Sequence, residues 1–259
     1  MNQTALITGA SGGIGYELAR LFARDHYNLV LVARSADKLS QLADELQRQY
    51  QVTVKTMALD LSASPAPRFI FDQLQREGTA IDVLVNNAGY GSFGEFATMP
   101  VEDTLGQIHL NVAALTLLTR LFVPAMVERH SGRIMNVAST AGFQPGPLMA
   151  VYYATKAYVI SFSEALANEL KPRGVSVTCF CPGATDTGFA TRAGNDKTRL
   201  FQKFGPMDVK TVAADGYRGM MKGKTLVISG MKNWIVAESV RFAPRKAVTA
   251  LSRWITEEP

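Results

Sequence analysis

The chain has few of the residues that bind metals or form disulfides. Its 259 residues include two cysteines and three histidines. The cysteines, Cys179 and Cys181, stand in an apolar run, and we expect them on opposite faces of a strand as buried core thiols. This is no disulfide framework, which fits a reducing cytoplasm. The histidines have no ligand spacing, so no metal is expected.

Long apolar segments and linkers are also scarce. The first residues lead directly into an apolar strand and a glycine-rich turn, unlike a signal peptide, so we expect a cytoplasmic protein. The most apolar later stretch, residues 111–127, contains Arg120 and Pro124 and is interpreted as a buried helix. Because repeats and long Pro/Gly/Ser linkers are lacking, residues 1–259 are predicted to form one domain.

Charge of neither sign dominates. The 27 lysines and arginines exceed the 22 acidic residues and give a net charge of +5, spread along the chain. A dispersed excess does not favour a nucleic acid partner and mildly favours an anionic ligand.

Short apolar runs alternate with amphipathic helical patterns along the chain. Continuous apolar runs are typical of strands that helices cover on both faces. The alternation predicts an α/β fold, a single doubly wound Rossmann-type domain with a parallel sheet of about seven strands and helices on both faces. The predicted strands are Thr4–Thr8, Asn28–Ala33, Thr53–Ala58, Val83–Asn86, Arg133–Val137, Ser176–Cys181 and Thr225–Ile228.

A polar segment, residues 184–207, follows the sixth predicted strand and contains several glycines and isolated aromatic residues. Long irregular inserts of this kind are more often lids or binding loops than parts of the core. We therefore predict that residues 184–207, the lid segment, cover a substrate.

The first strand runs into the sequence TGASGGIG, residues 8–15, and a helix follows at once. Glycines there permit a sharp turn, close approach of a pyrophosphate and tight helix–strand packing, and the helix N-terminus attracts the anion. The pattern predicts a dinucleotide cradle. Its candidate cofactor-binding residues are Gly9, Ser11, Gly12, Gly13, Ile14 and Gly15.

The end of the second strand indicates which dinucleotide binds. In NAD-binding sheets an acidic residue about 20 positions beyond the glycines accepts the ribose 2′-hydroxyl. Here that position, twenty after Gly13, is Ala33, and Arg34 follows it. Arginine can hold a 2′-phosphate through charge-assisted contacts, and Ser35 and Lys38 add a hydroxyl and a charge. We therefore predict NADP(H) as the cofactor.

Further motifs in this order resemble the short-chain dehydrogenase/reductase family, classical type. They are Asp60 after the third strand, NNAG at residues 86–89, Asn111, Ser139, a Tyr152-x-x-x-Lys156 pair and Pro182-Gly183 with Thr187. The resemblance implies that Asn111, Ser139, Tyr152 and Lys156 are catalytic. It also implies cofactor contacts from Asp60, Leu61, Asn87, Ala88, Gly89, Tyr152, Lys156, Pro182, Gly183 and Thr187.

The chemistry of hydride transfer explains these residue types. Reduction of a carbonyl leaves an alkoxide that must be protonated, and free tyrosine has a pKa of about 10. Tyr152 and Lys156 are one helical turn apart, so we expect the ammonium to move the tyrosine pKa toward neutrality. Ser139 is expected to hold the substrate oxygen by a hydrogen bond. Lys156 is expected to bind the ribose hydroxyls of the cofactor as well, and Asn111 is expected to bind a water that relays protons.

The residues around Ser139 and Tyr152 predict an apolar substrate site. The candidate substrate residues are Ser139, Phe143, Met149, Tyr152 and Phe189. We therefore expect a hydrophobic ketone, aldehyde or secondary alcohol as substrate. A non-catalytic NADP-binding sensor of the same fold, and epimerisation or dehydration at the same residues, are the alternatives.

The tail, about residues 230–259, mixes apolar and basic residues. It is similar to the tail of a family branch that includes bacterial ketoacyl-reductase-like proteins. We favour a packed helix or a subunit contact over contact with a membrane surface. The resemblance further implies a homo-oligomer, a dimer or tetramer.

Overall fold

The computed structural model describes residues 2–259 apart from the side chain of Phe204, so Met1 of the predicted domain lies outside it. Over these residues, parallel strands form one seven-stranded sheet in the order β3-β2-β1-β4-β5-β6-β7. The strands are β1 Thr4–Thr8, β2 Asn28–Ala33, β3 Val54–Ala58, β4 Val83–Asn86, β5 Gly132–Val137, β6 Val175–Cys181 and β7 Leu226–Ile228. The predicted α/β fold is confirmed.

Each predicted strand is present, and four begin one residue away from the prediction. β3 and β7 begin one residue later, at Val54 and Leu226, whereas β5 and β6 begin one residue earlier. Pairing with a neighbouring strand sets these ends, as in the pairs Leu29–Val54 and Cys179–Leu226. The local sequence pattern does not contain that information.

Helices cover both faces of the sheet, as their apolar stripes require. The helices are α1 Gly13–Arg24, α2 Ala36–Tyr50, α3 Pro65–Arg76, α4 Val101–Ile108, α5 Leu115–Glu128, α6 Ala150–Leu170, α7 Phe189–Ala193, α8 Arg199–Phe204, α9 Val209–Met221, α10 Met231–Ser239 and α11 Arg245–Thr256. Residues of α1, α2 and α9 form one buried cluster with the sheet, and residues of α3, α5 and α6 form a second one. On α2, for example, the apolar side chains of Leu39 and Leu46 are fully buried.

A π-helical turn, His109–Ala114, joins α4 and α5 into one continuous stretch. This stretch, Val101–Glu128, is long and apolar enough to cross a membrane by length and composition, a test that the core helix of a soluble protein also passes. Its side chains Leu118, Phe122 and Met126 are buried in the cluster of α3, α5 and α6.

Two expectations about local geometry were wrong. Cys179 and Cys181 lie on the same face of β6, because residues two apart in a strand share a face, and their sulfurs are 3.7 Å apart. Both are free and buried, as predicted. The lid segment is not irregular throughout but contains α7 and α8. The residue after α7, Gly194, caps that helix in a left-handed conformation with φ of 76°.

The strand order creates a crevice at the carboxyl ends of the two central strands, β1 and β4. From β1 the chain crosses through α1 to β2, and from the neighbouring β4 it crosses through α4 and α5 to β5, on the other side. The two connections diverge at the carboxyl ends of these strands. Ligands of open α/β sheets bind at such a point.

Candidate active site

A large cavity of about 1260 Å³ opens at the carboxyl ends of the strands. Its wall contains nearly all of the predicted cofactor residues. They are Gly9, Ser11, Gly12, Gly13, Ile14, Arg34, Ser35, Lys38, Asp60, Leu61, Asn87, Ala88, Gly89, Tyr152, Lys156, Pro182, Gly183 and Thr187. Residues as far apart in the sequence as positions 9 and 187 therefore line the same cavity.

The glycine-rich turn forms one end of this cavity. Gly9 and Gly13 have positive φ values of 67° and 56°, which favour glycine. A Cβ atom at Gly12 would meet nothing within 4 Å, so the fold itself leaves open space there. Gly15 does not line the cavity, because it lies under the turn, where a Cβ would come 2.4 Å from the Gly9 carbonyl oxygen. Gly15, predicted as one of the cofactor-binding residues of the cradle, thus serves the tight helix–strand packing of the turn.

The loop after β4 is fixed to the same turn by Thr8. The Thr8 hydroxyl accepts hydrogen bonds from the backbone N–H groups of Asn87 and Ala88, at 2.9 and 3.0 Å. The Asn87 side-chain amide donates to the Thr8 carbonyl at 2.9 Å. Cradle and loop are therefore held together before any ligand binds, which is the preorganisation that tight binding requires.

Charged residues gather at the end of the cavity formed by β2 and β3. Arg34 and Asp60 both line it. Burial alone would raise the pKa of Asp60, but hydrogen bonds from Ser62 and the positive charges of Arg34 and Arg192 hold that pKa below its ordinary value. Asp60 is thus an ionised acceptor facing the cavity, and the Arg34 guanidinium is available to an anion.

Arg192 of the lid segment reaches the same region and was not predicted. Its guanidinium carbon lies 4.3 Å from the centroid of the Tyr90 ring, in the range of a cation–π contact. Burial, and next the neighbouring Arg34, lower the pKa of Arg192. Two guanidinium groups that repel each other across a cavity favour an anion bound between them. No spacing motif distinguishes Arg192 from the other basic residues of the lid segment.

Tyr152 and Ser139 meet at the opposite end of the cavity. Tyr152, in the first turn of α6, is 8% exposed. The Ser139 hydroxyl caps the turn Thr140–Phe143 by accepting the Ala141 N–H at 3.1 Å, and it contacts the Pro182 carbonyl at 3.4 Å. Burial raises the pKa of Tyr152, and a hydrogen bond with Ser139 offsets only part of that rise.

Lys156, one helical turn after Tyr152 on α6, lies close to Tyr152 and Ser139. Its ammonium donates a 2.7 Å hydrogen bond to the Val137 carbonyl and lies 5.7 Å from the centroid of the Tyr152 ring. Burial lowers the pKa of Lys156 to about 8. In the protein alone the pKa of Tyr152 is therefore raised, whereas the sequence led us to expect a shift toward neutrality caused by Lys156. Desolvation of the phenol outweighs the attraction of an ammonium that is bound elsewhere.

Asn111, predicted as a catalytic residue, is buried directly behind Gly89 of the cavity wall and is not itself one of the lining residues. Its side-chain amide donates to the Tyr90 carbonyl at 2.9 Å and to the Thr155 hydroxyl at 3.1 Å. Its oxygen accepts the Tyr90 N–H at 3.1 Å. With its side chain used in this way, Asn111 positions the loop after β4 against α6.

Four of the five residues predicted to contact the substrate line the cavity. Ser139, Met149, Tyr152 and Phe189 line the cavity, and the Phe189 and Tyr152 rings are 5.2 Å apart. Phe143 does not, because its ring packs against the buried cluster that includes Val159 and Cys179. The cavity also extends along α10 and α11, which the sequence did not indicate as parts of a site.

Comparisons with known proteins agree with this arrangement. The very-long-chain 3-oxoacyl-CoA reductase of Bos taurus is 37% identical over 188 residues, 70% of this chain and 59% of that protein. The chain spans little more than half the length of the curated relatives it matches, 52% in Phaeosphaeria nodorum. These names agree with the predicted ketoacyl-reductase-like branch.

Two solved structures cover nearly the whole chain. A short-chain dehydrogenase from Sphingobium yanoikuyae in complex with NADPH is 34% identical, with a TM-score of 0.84, over 93% of this chain and 94% of that one. The bulky-bulky ketone specific alcohol dehydrogenase of Comamonas testosteroni is 30% identical, with a TM-score of 0.79, over 93% and 92%. The family model for short chain dehydrogenases matches residues 3–198. The chain therefore belongs to the short chain dehydrogenase family.

Proposed function

We propose that the protein is an NADP(H)-dependent oxidoreductase that interconverts a hydrophobic ketone or aldehyde and the corresponding alcohol. The observation that carries this proposal is the convergence of two sets of residues on one cavity. Tyr152, Ser139 and Lys156 lie at one end of it, and the glycine-rich turn with Arg34 lies at the other.

The residues present fit a phosphorylated dinucleotide. The open space at Gly12 admits a pyrophosphate against backbone N–H groups at the start of α1. Ala33 leaves no carboxylate to repel a 2′-phosphate, and Arg34, Ser35 and Lys38 line the cavity beside it. The NADPH complex of the Sphingobium yanoikuyae relative supports the same choice. When bound, the nicotinamide supplies or accepts the hydride.

Tyr152 supplies the proton in the direction of reduction. Because burial raises its pKa, the phenol is protonated at neutral pH and can donate to the oxygen of a reduced carbonyl. Ser139, in hydrogen-bond contact with the phenol, is placed to hold that oxygen. In the direction of oxidation Tyr152 must lose its proton, which requires a positive charge nearer than the Lys156 ammonium is here.

The substrate side of the cavity is apolar. Met149 and Phe189 pack in one cluster with Tyr152 and line the cavity, and they favour a hydrocarbon group next to the carbonyl. The names of the relatives, a 3-oxoacyl-CoA reductase and a bulky ketone dehydrogenase, support a carbonyl substrate with a large apolar part.

The test is a screen of ketones and aldehydes in which NADPH oxidation is followed by absorbance. We expect activity with wild type and a loss of at least about 100-fold in kcat for Tyr152→Phe. Tyr158→Phe is the matched control, since Tyr158 lies on the same helix and its hydroxyl contacts Thr116 rather than the cavity. Equal activity of wild type and Tyr152→Phe would exclude the proposed acid. Tight NADPH binding without turnover of any carbonyl would favour a sensor.

A further inference from the structure

The outer side of the last two helices carries large apolar side chains that are exposed. The inner side of α10 and α11 packs on the protein, where Asn233 contacts Gly183 and Ser252 is buried. We call the exposed side of α10, α11 and the turn between them the tail surface. Its large apolar side chains are Met231, Trp234, Ile235, Val236, Phe242, Leu251 and Trp254.

These side chains are concentrated in one short part of the chain. Of the thirteen large apolar side chains that are exposed in the part of the chain that the structure describes, seven lie within residues 231–254. Phe242 is 89% exposed and Met231 is 72% exposed. A single exposed apolar side chain is normal on a protein surface, whereas a group of them marks a surface that contacts another molecule or a membrane.

The two helices present these side chains on the same side of the protein. Met231, Trp234 and Ile235 are three and four positions apart on α10 and share one face of it, as Leu251 and Trp254 do on α11. Met231, Ile235 and Leu251 also line the cavity, although each is more than half exposed. The exposed faces of α10 and α11 therefore meet at the mouth of the cavity.

Basic residues accompany the apolar ones. Residues 231–256 contain five basic residues and one acidic residue, a local charge of +4, whereas the whole chain has a charge of +5. The acidic residue, Glu238, lies 3.5 Å from Arg241. The five basic residues, all of them exposed, are Lys232, Arg241, Arg245, Lys246 and Arg253.

The acidic end of the chain does not cancel this charge. Glu257 and Glu258 follow α11. The cations of Arg199 and Lys203, on α8, lie 5.4 and 5.2 Å from the centroid of the Trp254 ring. α8 thus places beside α11 as many positive charges as Glu257 and Glu258 remove.

This charge distinguishes between the candidate occupants of the tail surface. A second copy docked by the same surface would bring two groups of +4 together, and like charges across an interface oppose association. An anionic lipid surface attracts the same charges, and its boundary layer takes up apolar side chains. Tryptophan is favoured at that boundary because its ring is apolar and its N–H is polar.

We propose that the tail surface binds the protein to an anionic lipid membrane. Its apolar side chains enter the boundary between headgroups and acyl chains, and its basic residues contact the headgroups. The sequence pattern favoured a packed helix or a subunit contact for this tail, and the exposed fractions and the charge favour the membrane instead. The inference does not depend on the proposed function, because it requires neither a cofactor nor a carbonyl.

The experiment floats the full chain on a density gradient with vesicles. We expect flotation with equal parts of phosphatidylcholine and phosphatidylglycerol, and little with phosphatidylcholine alone. Raised salt should release the protein. The two tryptophans of the chain, Trp234 and Trp254, both belong to the tail surface. Their fluorescence should therefore shift to shorter wavelength on binding and be quenched by lipids with brominated acyl chains.

Two variants test the two components of the surface. Phe242→Ser removes an apolar side chain and should weaken binding to the anionic vesicles by about tenfold. Lys246→Glu reverses one charge and should weaken it by about as much. The matched controls are Phe69→Ser on α3 and Arg173→Glu, exposed residues outside the tail surface, which should keep the binding. All four side chains are exposed, so the thermal unfolding temperature should stay close to that of wild type.

Each further outcome overturns the proposal or leaves it standing. A protein that does not float with the anionic vesicles overturns it. Equal losses in Lys246→Glu and Arg173→Glu also overturn it, because they would trace binding to the net charge of the protein. Concentration-dependent dimerisation that Phe242→Ser abolishes, without flotation, would assign the surface to a second copy. A protein that floats but reduces no ketone supports the membrane contact and contradicts only the proposed oxidoreductase.

Discussion

The Lys156 ammonium donates its hydrogen bond to the Val137 carbonyl, at 2.7 Å, and not to the Tyr152 phenol. Lys156 is 5% exposed and carries its charge close to the end of β5. A buried ammonium held by one carbonyl loses more hydration than it regains, which is why its pKa falls to about 8. This relationship makes the stability of the protein depend on pH.

The first prediction concerns that dependence. Because the pKa of Lys156 is about 8 when folded and 10.5 when unfolded, the unfolded chain binds more protons between pH 8 and pH 10. The contribution of Lys156 to the free energy of unfolding should therefore rise by roughly 2 kcal/mol across this window. The measurement is urea unfolding of wild type and Lys156→Met at both pH values. Parallel pH profiles for the two proteins would contradict the lowered pKa.

The second prediction concerns Arg192. If Arg192 shares an anion with Arg34, Arg192→Ala should weaken NADPH binding by about tenfold. Loss of a fully buried ion pair would weaken binding more than this. NADH, which lacks the 2′-phosphate, should be affected much less. Arg34→Ala should show the same selectivity, and Arg173→Ala, an exposed cation outside the cavity, should show no effect. Fluorescence titration with both cofactors checks this. Equal losses for NADPH and NADH would place the two arginines away from the 2′-phosphate.

The third prediction contrasts two glycines of the cradle. Gly12→Ala should leave the thermal unfolding temperature nearly unchanged, because the added methyl meets no atom within 4 Å, yet it should weaken NADPH binding. Gly15→Ala should destabilise the fold, because its Cβ would lie 2.4 Å from the Gly9 carbonyl oxygen. Thermal unfolding and NADPH titration of both variants provide the test. A large loss of stability in Gly12→Ala would mean that the fold, and not a ligand, requires that glycine.

The fourth prediction concerns Asn111. In Asn111→Ala the N–H and carbonyl of Tyr90 lose their partner, which should lower the free energy of unfolding by about 2–4 kcal/mol. Thr155→Val removes only the bond from Asn111 to the Thr155 hydroxyl and the bond from that hydroxyl to the Tyr152 carbonyl, so its cost should be smaller, about 1–2 kcal/mol. Urea unfolding of both variants measures these values. An Asn111→Ala protein as stable as wild type would refute the positioning role.

The fold class, the seven strands to within one residue, and the cradle with Arg34 at the end of the second strand could all be predicted from the amino-acid sequence. These features depend on short-range patterns, since strand length, glycine spacing and helical periodicity involve neighbours in the chain. The placement of Tyr152 and Lys156 one turn apart on one helix also depends on a short-range pattern. Membership in the short chain dehydrogenase family also follows from motifs whose order the sequence contains.

The surroundings of each side chain became known from the folded protein alone. Burial raised the pKa of Tyr152, the amide of Asn111 bonded to Tyr90 and Thr155, and the ring of Phe143 packed into the core. Arg192 joined Arg34 across the cavity from a position 158 residues away in sequence, and α10 and α11 extended the cavity. Desolvation and contact depend on segments that meet only after folding, so no local spacing contains them.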